Sequence, residues 1–169
     1  MKKYFLTACV LFLCSGAAWA DRGDQYLIAK LGVMQVDLNN ADPLFSVGAY
    51  YGYGLMRNVS LEAEANFGFL GGKFAAPNPA NSGEYNIWTL AGYGVYRLPI
   101  TEVFYGKGKL GLLYENVENT GVDKTATDFG LAGGLGAGYV VGERMTLEAE
   151  ATVIDQDIIF WSLGVHYSF

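Results

Sequence analysis

The chain has 169 residues, of which 23 are glycine, 15% aromatic and only 17% charged, with 11 Lys+Arg against 17 Asp+Glu and a single histidine. An acidic balance of this kind argues against a nucleic-acid partner. The length suits one domain, and beyond residue 20 no run approaches the roughly 18 uninterrupted apolar residues of a membrane helix.

Lys2 and Lys3, an apolar core from Tyr4 to Cys14, and the small-x-small site Ala18-Trp19-Ala20 predict a cleaved secretory signal peptide over 1–20. Bulky Leu13 before Cys14 argues against a lipoprotein. Cleavage leaves one domain, 21–169. Both cysteines, Cys9 and Cys14, go with the signal, so disulfides, thiol catalysis and cysteine metal sites are excluded. Loss of the two lysines moves the net charge from −6 to −8.

The mature chain reads as alternating strands and turns. Side chains alternate across a strand, so each strand has two faces. The first strand, Tyr26 to Leu38, sets Lys30 and Gly32 against Leu27, Ala29, Leu31 and Val33; Asn39 to Leu44 is turn material. The second, Phe45 to Leu55, sets Ser46, Gly48, Tyr50, Gly52 and Gly54 against Phe45, Val47, Ala49, Tyr51 and Tyr53. After a tight connection at Met56 to Val59, the third runs Leu61 to Phe69, with Glu62, Glu64 and Asn66 opposite Leu61, Ala63, Ala65 and Phe67. Leu70 to Glu84 is a long loop. The fourth strand, Tyr85 to Tyr96, has blurred faces because Trp88 and Leu90 interrupt the alternation, and Arg97 to Glu102 turns into the fifth.

That fifth strand, Val103 to Tyr114, sets Lys107, Lys109 and Gly111 against Leu110, Leu112 and Tyr114; Glu115 to Thr127 is a second long, acidic loop. The sixth, Asp128 to Val141, has Gly130, Ala132, Gly134, Gly136 and Gly138 on one face. Its glycines superficially suit a dinucleotide motif, but no helix follows. The seventh, Leu147 to Val153, places Glu148 and Glu150 opposite Leu147, Ala149 and Ala151. The eighth, Ile158 to Phe169, alternates Ile159, Trp161, Leu163, Val165, Tyr167 and Phe169 with smaller or more polar residues. All prolines fall in connections, as strands require. Tyr53–Ala65 (YGLMRNVSLEAEA) is echoed by Tyr139–Ala151 (YVVGERMTLEAEA) at an offset of 86 residues.

Eight such strands predict an all-β, eight-stranded antiparallel up-and-down barrel. A lipocalin-like soluble carrier turns its apolar face inward, and a transmembrane barrel turns it into lipid. Three features favour lipid. The polar face is too small to be a soluble exterior. Aromatics including Tyr51, Tyr53, Phe67, Phe69, Tyr93, Tyr114, Tyr139, Trp161 and Tyr167 cluster toward strand ends on the apolar face, as interfacial girdles do. Finally, Lys30, Glu62, Glu64, Lys107, Lys109, Glu148 and Glu150 alternate in sign by strand and can neutralise one another inside; in lipid a lysine at mid-bilayer costs roughly 2–4 kcal/mol.

Those charges read as a structural network filling a lumen just wide enough for side chains, with a narrow channel as the alternative. No catalytic or metal site is expected and no cofactor. His166 is the one candidate base, with Ser162 about 13 Å away along the strand and Ser168 nearer the terminus; a satisfied lumen histidine outweighs a lipid-modifying enzyme. Interaction residues are expected in the outside loops, with Lys73, Glu84, Glu118, Asp123 and Lys124 as candidates.

The terminal Trp161-x-Leu163-x-Val165-x-Tyr167-x-Phe169, the Ser60–Ala65 and Thr146–Ala151 strands, and Tyr105-Gly106-Lys107-Gly108-Lys109 resemble the OmpA/OmpX-type family of small outer-membrane barrels. That resemblance implies the bacterial outer membrane and a structural or host-facing role. It also implies a C-terminal assembly signal at Trp161, Leu163, Val165, Tyr167 and Phe169. The expected partners are outer-membrane lipid and lipopolysaccharide, the barrel-assembly machinery and an unidentified surface ligand, with the protein monomeric.

Overall fold

The structure is a computed structural model that describes residues 22–36, 42–70, 72–74, 83–119, 124–155 and 157–169. The predicted signal peptide, most of the first long loop and Asp123 lie outside them. The strands are β1 (Gln25–Val36), β2 (Leu44–Met56), β3 (Val59–Leu70), β4 (Gly72–Phe74), β5 (Gly83–Pro99), β6 (Phe104–Asn119), β7 (Lys124–Val140), β8 (Met145–Asp155) and β9 (Ile158–Ser168). Each main strand pairs antiparallel with its chain neighbours, β3 pairs with β5, and β1 pairs with β9 from Tyr26↔Ser168 to Val36↔Ile158. The sheet therefore closes into a ring of eight walls, with β4 a short strand beside the start of β5. Closure pairs the first strand with the last, as a sheet crossing lipid requires.

The connections fall in two sets. Those at Arg57-Asn58, 100–103 and 141–144 are tight and share one end with the start of β1 and the end of β9. Asn58 turns the first with φ 65°, a left-handed conformation that asparagine tolerates. Short turns mark the periplasmic end. Two features differ from the sequence reading. β6 and β7 continue through most of the predicted acidic loop, so Glu115 and Glu118 are strand residues and Lys124 opens β7. Pro99 closes β5 rather than sitting in a turn, paired with Tyr105 where only its carbonyl is needed.

The face assignment follows the alternation. Leu31, Leu110, Leu131, Leu135 and Leu163 project outward, each about two-thirds exposed or more, and Trp161 and Phe169 lie on the same side. Inside, glycines make room for rings: a Cβ on Gly52 would overlap Tyr26, and one on Gly138 would overlap Tyr105. Tyr93 corrects the predicted girdle. It is 1% exposed and points into the lumen, because β5 turns Tyr85, Ile87, Thr89, Tyr93, Val95 and Arg97 inward.

The lumen is layered. Toward the periplasm lie Tyr26, Ser60, Arg97 and His166, with Ser168 half-buried beside them; the charged belt follows; Asn66, Thr89, Thr152 and Ser46 come above it. The outer end is closed by an apolar cluster that includes Met34, Leu44, Ile87, Leu113, Ile158 and Phe160. A polar-inside rule had no place for this cap.

Candidate functional site: the charged lumen and the outer rim

The internal echo places its two glutamate pairs on opposite walls. Glu62 and Glu64 come from β3, Glu148 and Glu150 from β8, and cations from β1, β5 and β6 bridge them. Lys30 Nζ lies 2.7 Å from Glu64 and 3.4 Å from Glu150. Lys109 Nζ lies 2.7 Å from Glu64 and 2.6 Å from Glu150. Lys107 sits 3.0 Å from Glu62, Glu148 and Glu150 alike. Glu62 Oε2 and Glu150 Oε2 form no angularly acceptable hydrogen bond there, so the ammonium charge is what compensates them.

Arg97 is the residue the sequence reading missed, since its neighbour Pro99 made it look like part of a turn. Its Nη2 donates to Glu62 at 2.7 Å and reaches Glu148 at 3.5 Å. Its Nη1 donates to the Tyr26 hydroxyl at 2.8 Å and to Ser60 at 2.9 Å. With Arg97 counted, Lys30, Arg97, Lys107 and Lys109 balance four glutamates. Tyrosine hydroxyls complete the shell: Tyr50 and Tyr105 both donate to Glu148. Lys107 and Lys109 each lie 4.2 Å from a ring centroid, of Tyr50 and Tyr93. Burying ions without such partners is costly, and this network leaves no cation of the belt unpaired. The cavity beside it, lined by Lys30, Tyr50, Glu148, Glu150 and Ser162, holds about 10 Å³, at the lower limit for one water.

His166 lies below the belt, its ring stacked 4.5 Å from Tyr26. Its Nε2 is 3.1 Å from Ser168 Oγ and its Nδ1 3.4 Å from Glu148 Oε1. Ser168, not Ser162, is therefore its hydroxyl neighbour. The order carboxylate, imidazole, hydroxyl resembles a catalytic triad, but Glu148 is already committed to Lys107, Arg97 and two tyrosines. A 3.4 Å contact is also too long to orient the ring as a triad carboxylate does. The arrangement faces a polar periplasmic cleft of about 300 Å³ lined in part by Asp24, Arg97 and Arg144.

At the other end, the predicted loop residues Lys73 and Glu84 form an exposed pair at 3.7 Å between β4 and β5. Glu118 is exposed on β6. Glu115 is buried, 7% exposed, just beyond Tyr114, whose ring packs 5.4 Å from Trp88. Burial, then the charges of Asp155 and Asp128, push its carboxyl up to about 7.

Trp161, Leu163, Val165 and Tyr167 line the outer face of β9, and the Phe169 N–H donates to the Gln25 carbonyl at 3.0 Å. The sequence profile of the outer membrane protein beta-barrel domain matches residues 5–169. The chain belongs to that family. This outer-membrane barrel accordingly resides in the bacterial outer membrane, and its apolar exterior faces lipid. Solved structures share the fold. OprG of Pseudomonas aeruginosa aligns with a TM-score of 0.61 at 14% identity, over 90% of this chain and 99% of that one. Neisserial surface protein A gives 0.57 at 19%, over 86% and 96%. Ail, the attachment invasion locus protein of Yersinia pestis, solved with the heparin analogue sucrose octasulfate, gives 0.54 at 16%, over 88% and 99%. Comparison with curated protein sequences returns no match.

Proposed function

We propose that this outer-membrane barrel is a non-conducting, non-enzymatic surface protein. On this reading the lumen is an ionic structural core, and the parts that rise above the membrane interact with partners. The observation that carries it is the mutual pairing of Lys30, Arg97, Lys107 and Lys109 with four glutamates beneath an apolar cap. An ion crossing would have to break that pairing and then pass Met34, Leu44, Ile87 and Phe160. The surface role draws support from the fold shared with a Neisserial surface protein and an attachment invasion locus protein. Lipopolysaccharide around the barrel, and assembly machinery reading Trp161 to Phe169, complete the proposed partners.

The test is a conductance measurement on purified protein in planar bilayers. No discrete current steps are expected. Steady steps that shrink in Glu64→Gln and Glu150→Gln would establish the narrow channel instead.

A further inference from the structure

β7 pairs with β8 only between Gly133↔Val153 and Val140↔Thr146. From Lys124 to Ala132 it is paired, among the described residues, with β6 alone. Among the described residues a length of strand edge is thus unpaired at the outer end of the barrel, and residues 126–131 beside it are exposed. Next to this edge the charge pattern is unfavourable. Glu115 and Asp128 are direct cross-strand partners on β6 and β7, and like charges so placed repel. Asp155, at the end of β8, is near enough to act on Glu115 as well. Glu115 is buried and its Oε2 accepts no hydrogen bond. A buried, unsatisfied carboxylate among like charges is costly, and a cation supplied from outside relieves both defects.

We propose that this notch, formed by Glu115, Asp128 and Asp155 beside the open edge of β7, docks an extended segment of a partner protein that bears lysine or arginine. The segment adds a strand to β7 through main-chain hydrogen bonds, and its basic side chain enters the notch. A metal ion fits less well, because among the described residues no group of three or more acidic or histidine side chains is close enough to hold one. Lys73, at this end, already faces Glu84. The charge is also opposite to what a sulfated ligand of the kind seen with Ail needs. This inference rests on the surface-protein reading and names the partner's chemistry.

The experiment uses the full mature barrel in phosphatidylcholine nanodiscs and a fluorescent ten-residue peptide of alternating threonine and lysine, read by anisotropy. The peptide is expected to bind. Glu115→Gln should weaken it at least about tenfold, and Asp128→Asn should weaken it in the same sense. Glu143→Gln, at the periplasmic end, should leave it unchanged. A threonine/glutamate peptide should not bind, and a lysine peptide interrupted by proline should bind worse, because proline cannot pair along the edge. Heat-shifted migration of each variant confirms that it is folded. Equal losses in Glu115→Gln and Glu143→Gln would mean general charge attraction and overturn the proposal. So would unchanged binding in Glu115→Gln, or binding of calcium without the lysine peptide. Conductance is measured separately, so a conducting lumen would fail the surface reading without touching this result.

Discussion

At the scale of single residues, the interior and the rim make different demands. Glu148 answers to two cations, two tyrosine hydroxyls and His166. Glu148→Gln leaves Lys107 and Arg97 short of a counter-charge, and the expected cost is about 3–5 kcal/mol in denaturant titrations of the refolded protein. Lys73→Met, which breaks an exposed pair, should cost under about 1 kcal/mol. Gly138→Ala drives a methyl into the Tyr105 ring and should cost about 1–3 kcal/mol. Glu115 supplies the pH dependence. Its folded pKa of about 7 lies above the usual 4.5, so between those values the folded state holds more protons than the unfolded one. Stability therefore falls as pH rises through that window, and the penalty is complete above it. Burial sets most of the shift, and the charges of Asp155 and Asp128 add to it. Comparing denaturation midpoints at pH 5 and pH 8, Glu115→Gln should show a smaller decline than the parent.

At the scale of elements, the outer face was legible because a period of two survives any uncertainty about strand ends. β9 shows this best, with Trp161, Leu163, Val165 and Tyr167 all on the lipid side. A test belongs here: Leu135, 74% exposed on β7, should tolerate Ile, whereas Leu135→Lys should cost roughly 2–4 kcal/mol in lipid-bilayer folding assays. What was not legible had a common cause. Tyr93 is an aromatic like those of the girdle, and only the phase of β5 shows that it turns inward. That phase was hidden by Trp88 and Leu90. The same uncertainty hid Arg97, which completes the charge balance. The acidic composition of Glu115 to Thr127 suggested a loop, yet cross-strand pairing from Glu115↔Asp128 to Asn119↔Lys124 extends the hairpin. Composition reports side-chain polarity, and the hairpin stays paired past Tyr114 whatever its side chains carry.

At the scale of the molecule, the family match and the closed ring of strands make this an outer-membrane barrel, and heat-dependent migration on SDS gels of the outer-membrane fraction is the expected signature of the closed hydrogen-bond network. The ionic belt has a further consequence for how that ring is made. Its anions come from β3 and β8 and its cations from β1, β5 and β6, so no hairpin of adjacent strands contains the whole set. Lys30 finds Glu64 two walls away in one direction and Glu150 two walls away in the other. A sheet still open between β1 and β9 holds only the first of these contacts. The belt therefore works as a latch on one seam: Lys30–Glu150 is its ion pair that spans the seam of β1 and β9, so closing that seam adds a contact to charges already paired through Lys107, Lys109 and Arg97.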